Sequence, residues 1–300
     1  SNKNHLHIET MNARVGFHVS IGGGISNSVN NAKKLGCTAF QIFSRNPRGW
    51  AAKPLAPDDV KLFKEKLAAS GIDRTSVMVH MPYLPNLSGP AGEFYKRSVR
   101  TLAGEIQRCS ELGIPYLVIH LGSHMGQGSK SGVDQLIKAI TIAHDMSKIK
   151  EEPVTVLLEN NTGQKNNVGG TFEELRLILD RLGSSSNAYG VCLDTCHLFA
   201  SGYDLRTPAD VEGTIETFDK AVGLQELKVV HFNDSKGGLK SCLDRHEHIG
   251  LGSIGSEGMA AFINHKAIRS LPIILETPID EKRGDEQNLQ VVLELASGTR

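Results

Sequence analysis

The chain has 300 residues, 39% of them hydrophobic, enough for one sizeable core, and no low-complexity or linker-like stretch divides it. Lys and Arg number 33 against 33 Asp and Glu, which excludes a bulk electrostatic pull toward nucleic acid; a polyanionic partner would have to be met by local basic loops or bound cations. No apolar run approaches the roughly 20 residues of a membrane span, no signal peptide is visible, and five cysteines without framework spacing suit a reducing cytoplasm.

Residues 1–12 read as a flexible leader or foreign remnant, and 13–300 as a single domain. Arg14 to His18 and Thr38 to Phe43 read as strands. Gly22-Gly23-Gly24, between them, opens a helix whose N–H groups could meet a phosphate, although a plain tight turn is favoured. A cationic and aromatic loop follows, Ser44-Arg45-Asn46-Pro47-Arg48-Gly49-Trp50. Six further apolar runs then end on a metal-binding side chain: Val77 to His80, Tyr116 to His120, Val154 to Glu159, Gly190 to Asp194, Leu227 to His231 and Pro272 to Glu276. Each has the length and β-branched content of a strand buried on both faces. The spacers read as helices. Ala91 to Leu112 is closed by Gly113, Thr171 caps a helix with acidic residues in its first turn, and Pro208 sits near the start of another that runs through Phe218. The last helix spans about Asp285 to Leu295.

The strand ends recur every roughly 35 to 45 residues, about one strand-helix unit each. Eight such alternations predict a (β/α)₈ TIM barrel, whose functional site lies at the C-terminal strand ends. An open doubly wound sheet would spread the same side chains along one edge.

Three more donors lie just past strand ends: His197, one turn beyond Asp194, and the pair Asp244 and His246, on the same side of an extended segment. The candidate set is then His80, His120, Glu159, Asp194, His197, His231, Asp244, His246 and Glu276. Imidazoles and carboxylates without a thiolate suit Zn²⁺ or Mn²⁺ in a catalytic site. So many clustered charges on one rim would be unsatisfied without cations, and a three-metal cluster with one bridging carboxylate uses them all. Cys192 and Cys196 flank Asp194 and read as buried, inert thiols. His18 could line the site, His124 could contact an anion, and His248 reads as a neighbour of the cluster or a solvated residue. Arg245 could reach a backbone phosphate or balance the carboxylates. His5, His7, His144 and His265 read as surface or leader residues.

At these residues the chain resembles the endonuclease IV family of apurinic/apyrimidinic (AP) endonucleases, AP endonuclease family 2. The stretches that carry the resemblance are Gly190-Val191-Cys192-Leu193-Asp194-Thr195-Cys196-His197 continuing through Phe199 to Asp204, His231-Phe232-Asn233-Asp234-Ser235-Lys236, and His120-Leu121-Gly122-Ser123-His124. The likeness runs from about Val15 to the last helix, with local departures at Pro82 and Gly126-Gln127-Gly128. It implies three zinc ions per chain, with Mn²⁺ an option at one or more positions. One would be held by His80, His120 and bridging Glu159, a second by Glu159, Asp194, His231 and Glu276, and a third by His197, Asp244 and His246. It also implies side chains pushed into the duplex at Arg48, Tyr83 and Leu84.

The implied activity is zinc-dependent hydrolysis of the phosphodiester bond 5′ to an abasic site in double-stranded DNA, leaving a 3′-hydroxyl and a 5′-deoxyribose phosphate. Glu159 is the expected catalytic residue. Metals a few ångströms apart can acidify a shared water and stabilise the leaving oxygen, and an abasic sugar flips cheaply into a pocket closed to normal nucleotides. A cytoplasmic monomer with no membrane partner, nucleoid-associated if prokaryotic, is expected. Two rival readings are a divalent-metal sugar isomerase or epimerase on the same barrel, and a catalytically silent DNA- or metal-binding barrel. The His197, Asp244 and His246 group argues against the first, and the intact donor set against the second.

Overall fold

Nine α-helices and ten strands are formed by the residues that the computed structural model describes, 13–149, 151–183 and 187–297; the reading of 1–12 as a leader falls outside them. The strands are β1 (Arg14–His18), β2 (Ala39–Ile42), β3 (Val77–His80), β4 (Tyr116–Ile119), β5 (Thr155–Glu159), β6 (Tyr189–Asp194), β7 (Leu227–His231), the two-residue β8 (Asp234–Ser235) and β9 (His246–Glu247), and β10 (Pro272–Leu275). Eight of them close a barrel in the order β1-β10-β7-β6-β5-β4-β3-β2. Its paired strands run parallel throughout, for example Gly16 beside Ala39 and Asp194 beside His231. The two short strands pair antiparallel in the connection from β7 to β10. The TIM barrel expected from the strand-helix alternation is the fold observed.

The helices are α1 (Asn27–Leu35), α2 (Pro57–Ser70), α3 (Glu93–Leu112), α4 (Ser129–Ser147), α5 (Phe172–Leu182), α6 (Thr195–Ser201), α7 (Pro208–Ala221), α8 (Gly255–Asn264) and α9 (Asp285–Ser297). Their ends follow local chemistry. Thr171 and Thr207 accept hydrogen bonds from the N–H groups of Glu174 and Asp210, at 3.2 and 3.1 Å, so α5 and α7 start where those side chains satisfy an orphan donor. Gly113 ends α3 in the left-handed conformation, as expected. Differences from the sequence reading are small: α3 begins two residues after Ala91, α7 runs three residues past Phe218, and β4 and β10 stop one residue before His120 and Glu276.

Alternation along each strand separates two cores. One face packs against the helices through side chains such as Phe17, Phe40 and Ile42, each buried residue of this kind contributing about 1.5–3 kcal/mol. The other fills the barrel with Ala39, Met78, Val118, Leu157, Cys192, Val229 and Ile274. Gly16 has no room for a side chain, since a Cβ there would lie 1.6 Å from the Ala39 carbonyl oxygen. Two residues further along each strand, with the same inward parity, stand His18, Gln41, His80, His120, Glu159, Asp194, His231 and Glu276. The apolar plug therefore gives way, at the C-terminal end, to a polar ring with one member per strand.

Candidate active site

The nine donors singled out in the sequence stand at this end of the barrel. Single ligand atoms of Glu159, Asp194, His231 and Glu276 all lie within 4.8 Å of one another, as do those of Asp194, His197 and His246. His80 Nε2 stands 3.3 Å from Glu159 Oε1, and His231 Nδ1 stands 2.6 Å from Glu159 Oε2 and 3.0 Å from Glu276 Oε1. His197 Nε2 is 3.0 Å from Asp244 Oδ1 and 3.7 Å from Asp194 Oδ2. Asp194 thus borders both groups. Glu159 and Asp194 are buried, whereas Asp244 is exposed. The fold places these atoms by sharp local devices. Asp194 caps the short helix α6, accepting from His197 N–H at 3.0 Å, and that turn brings His197 back over its own strand end.

Backbone carbonyls set the imidazoles. A ring nitrogen that faces a carbonyl oxygen must carry hydrogen, leaving the other as the one that can give up its proton and ligate. His80 Nδ1–H donates to Met81 O at 2.7 Å, His197 Nδ1–H to Asn160 O at 2.8 Å and His246 Nδ1–H to Glu276 O at 2.9 Å. In each, Nε2 is turned toward carboxylates. His120 is the reverse case: Nε2–H donates to Pro85 O at 2.9 Å, which leaves Nδ1. Its ring lies 6.3 Å from that of His80, outside the tightest groups.

Electrostatics follow from the crowding. Burial alone would lower the pKa of His197, but Asp194, Asp244 and Glu159 outweigh it and raise it to about 10. His246 is likewise held well above its ordinary value, Asp194 and Asp244 overriding burial. Burial would raise the Glu159 and Glu276 carboxyls, yet His231 leads the neighbours that hold both well below the usual range. Without cations, protons on imidazole nitrogens neutralise the carboxylates.

The donor chemistry fits divalent cations. Four carboxylates, Glu159, Asp194, Asp244 and Glu276, face five imidazoles with no Lys or Arg among them. Among the described residues, His246 Nε2 is buried with no hydrogen-bond partner although Asp194 and Asp244 oxygens stand 3.5 and 3.4 Å away. That orphaned ring nitrogen beside two carboxylates is what an N,O-type ion would satisfy, in place of a proton. Cys192 and Cys196 also lie within reach, but burial pushes both thiols up to about 12, in keeping with their reading as inert.

A cavity of about 720 Å³ opens above the ring, and Tyr83, Leu84 and Asn161 contribute to its wall beside the donors. Arg48 stands exposed on the neighbouring loop. The two segments are tied together: Tyr83 N–H donates to Pro47 O at 2.9 Å, and the Tyr83 ring meets Phe43 edge-on at 5.2 Å. The Arg48 loop is clamped from α3. Glu105, fully buried, accepts from Arg45 Nε at 2.6 Å and from Ser44 Oγ at 2.9 Å. Arg108 donates to Ser44 Oγ at 2.9 Å, to the Ser44 carbonyl and, at the far end of the loop, to Lys53 O at 2.9 Å.

Several expectations are corrected. His124 does not offer its ring to an anion: Nδ1 accepts from Gly126 N–H at 3.2 Å and Gly128 N–H at 3.1 Å, shaping a turn. His248 is not solvated but buried, bonded to Asp280 at 2.7 Å and Asn288 at 2.9 Å. The glycine run is the plain tight turn favoured from the sequence, Gly24 N–H donating to Ile21 O at 2.9 Å, and the alternative phosphate reading fails because Asp59 already accepts from Ile25 N–H at 2.7 Å and Ser26 N–H at 3.2 Å. His144 is half-buried against the Tyr189 hydroxyl at 2.6 Å rather than free on the surface. The sequence reading gave no bracing role to Asn160, Asn233 and Thr195, which hold the donors in place. Asn233 Nδ2 donates to Asp194 Oδ2 at 3.2 Å and its Oδ1 accepts from Glu276 N–H at 2.8 Å, while Thr195 and Asn233 exchange bonds. Asn160 and Asn233 each closely follow a donor at a strand end, the one signal by which they could have been found.

A closed parallel barrel with this polar C-terminal ring belongs to the xylose isomerase-like class, and the family described as Xylose isomerase-like TIM barrel matches residues 29–295. Two curated relatives, each called "Probable endonuclease 4", share 52% identity in Cenarchaeum symbiosum and 51% in Nitrosopumilus maritimus, over 94% of this chain and 99% and 100% of theirs. The crystal structure of endonuclease IV from Thermus thermophilus superposes with a TM-score of 0.84 at 36% identity, covering 95% of this chain and 100% of that one. The chain belongs to the endonuclease IV family of AP endonucleases. A D-tagatose 3-epimerase-like protein, TM-score 0.66 at 18% identity, shares the fold alone.

Proposed function

We propose that this chain is a zinc-dependent DNA repair endonuclease that hydrolyses the phosphodiester bond 5′ to an abasic site in duplex DNA, leaving a 3′-hydroxyl and a 5′-deoxyribose phosphate. The observation that carries the reading is the meeting of buried Glu159, Asp194 and His231 with partly buried Glu276 within 4.8 Å, under a cavity whose wall includes Tyr83 and Leu84. Family membership supports it, since the relatives are named endonucleases.

His80, His120 and Glu159 would hold one ion, Glu159, Asp194, His231 and Glu276 a second, and His197, Asp244 and His246 a third, with Asp194 close enough to share in the last group. When bound, such ions supply Lewis-acid stabilisation of phosphoryl and leaving oxygens and acidify water. The chain's own residues do the rest. Glu159, held ionised between His80 and His231, keeps acceptor oxygens in the site and orients a water hydrogen rather than storing a proton. Tyr83, 56% exposed, and Arg48 enter the space left by the missing base, steadied by the backbone bond between their segments. The abasic nucleotide, lacking a stacked base, reaches the cavity at little cost. The protein acts as a monomer, because the duplex lies across the donor-bearing rim.

The test is incubation of zinc-replete protein with a duplex containing one abasic site and with its matched intact duplex. A single nick 5′ to the lesion, none in the control and loss of nicking on prolonged chelation are expected. Equal cutting of both duplexes, or of neither, overturns the reading.

A further inference from the structure

The polar ring has a member on every strand, yet the proposed ligands account for only six of the eight positions; His18 and Gln41 remain. Gln41 is fully buried, and it is the one uncharged amide in the ring. Its Oε1 stands 2.7 Å from His231 Nε2, and its Nε2 stands 3.2 Å from Glu276 Oε2 and 3.0 Å from His18 Nδ1. One side chain therefore touches two imidazoles and a carboxylate.

The hydrogen positions follow from donor and acceptor counting. An ionised carboxylate can only accept, so the Gln41 group beside Glu276 must be the NH₂. The carbonyl end then faces His231 and can only accept, so His231 Nε2 carries hydrogen. The opposite amide orientation would set a carbonyl against Glu276 with no hydrogen between them. With Nε2–H committed to Gln41, Nδ1 is the His231 nitrogen that can give up its proton and offer a lone pair to a cation. That atom lies 2.6 Å from Glu159 Oε2, 3.0 Å from Glu276 Oε1 and 4.0 Å from Asp194 Oδ2. Three carboxylate oxygens gathered about one nitrogen call for a positive charge there, a proton in the metal-free chain and a cation when one binds.

We infer that Gln41 is a positioning residue for the ion held by Glu159, Asp194, His231 and Glu276: it fixes the His231 tautomer that ligates through Nδ1 and holds Glu276 by its second oxygen. The same amide directs hydrogen at His18 Nδ1, which leaves the His18 hydrogen on Nε2. Carbonyl oxygens do this for His80, His120, His197 and His246. For His231, among the described residues, no backbone carbonyl takes that place, and the side-chain carbonyl of Gln41, across β1 and β10 in the barrel, substitutes for it. The inference rests on the metal-binding reading of the rim, and its test separates the two.

The experiment compares wild type with Gln41→Leu, similar in length and unable to bond either partner, by elemental analysis and chelator competition. The wild type is expected to retain its ions. Gln41→Leu is expected to fold and to release one ion about 10–100-fold more readily while keeping the others. Unchanged affinity for every ion would overturn the inference. A second readout does not depend on the variant folding: imidazole ¹H–¹⁵N spectra of zinc-loaded wild type should show His231 with hydrogen on Nε2 and the metal on Nδ1, and the opposite tautomer would also overturn it. Failure of the wild type to bind metal at all would instead defeat the metal-binding reading and the inference with it.

Discussion

Two charge clusters in this molecule differ in completeness. Beneath the Arg48 loop, Glu105 meets Arg45 and Ser44, and Arg108 meets Ser44, so the carboxylate finds its countercharge and its donors within the chain. At the rim, Glu159, Asp194, Asp244 and Glu276 find imidazoles and the neutral amides of Asn233 and Gln41 but, among the described residues, no Lys or Arg, and His246 Nε2 is buried there without a hydrogen-bond partner. Burying a charge costs several kcal/mol unless it is paired. A cluster complete in itself is scaffold; one that needs protons or cations from solution to complete it is a site. Proximity of acidic and basic residues does not separate the two. Balance does.

The contrast can be broken at either end. The largest expected effect is at the rim, where Glu159→Gln removes a charge shared by neighbouring groups. Nicking should fall about 10³-fold or more while abasic-duplex binding persists, and substantial residual cleavage in a gel assay would remove Glu159 from its role. At the clamp, Glu105→Ala leaves Arg45 buried without its partner and should cost about 3–5 kcal/mol in denaturant unfolding. Its metal content should match wild type, so loss of metal there would mean the two clusters are not separate. Arg48→Ala, at the exposed tip, should leave stability within about 0.5 kcal/mol and weaken abasic-duplex binding about tenfold, roughly 1.4 kcal/mol. Equal weakening on intact duplex would assign it to general phosphate attraction.

Protons give the smallest but most selective signal. In the metal-free chain His197 titrates at about 10 and His246 well above its ordinary value, so both are protonated at neutral pH. Since His197 is raised, its contribution to the stability of the metal-free protein is fully present below its ordinary 6.5 and is lost as pH rises through about 10. Cation binding must expel these protons. Metal affinity should therefore rise with pH, and the binding heat should change with the ionisation enthalpy of the buffer; identical heats in all buffers would contradict the arrangement.

Most of the barrel was legible because seven of its eight strands are short apolar runs that lead into a His, Asp or Glu, and several helices carry their own caps, as at Thr171 and Gly113. The donors were legible for the same reason. Gln41 was not: an amide is not among the usual zinc donors, and its importance comes from Glu276 and His231, 235 and 190 residues away. Period-two counting from Ala39 places it in the ring, but only the closed barrel shows what it faces. His124 misled for the opposite reason. It follows a donor in a family-like stretch, yet its ring is consumed by the N–H groups of Gly126 and Gly128 in the following turn. Asp59 likewise reaches the amides after Gly24 from another helix, which no local pattern announces.

The rim's need for outside charge is tested most directly by elemental analysis of protein purified without chelator. We predict about three divalent ions per chain, a number set by nine nitrogen and oxygen donors in three adjoining groups. Protein that nicks abasic DNA while carrying fewer than two would contradict the account.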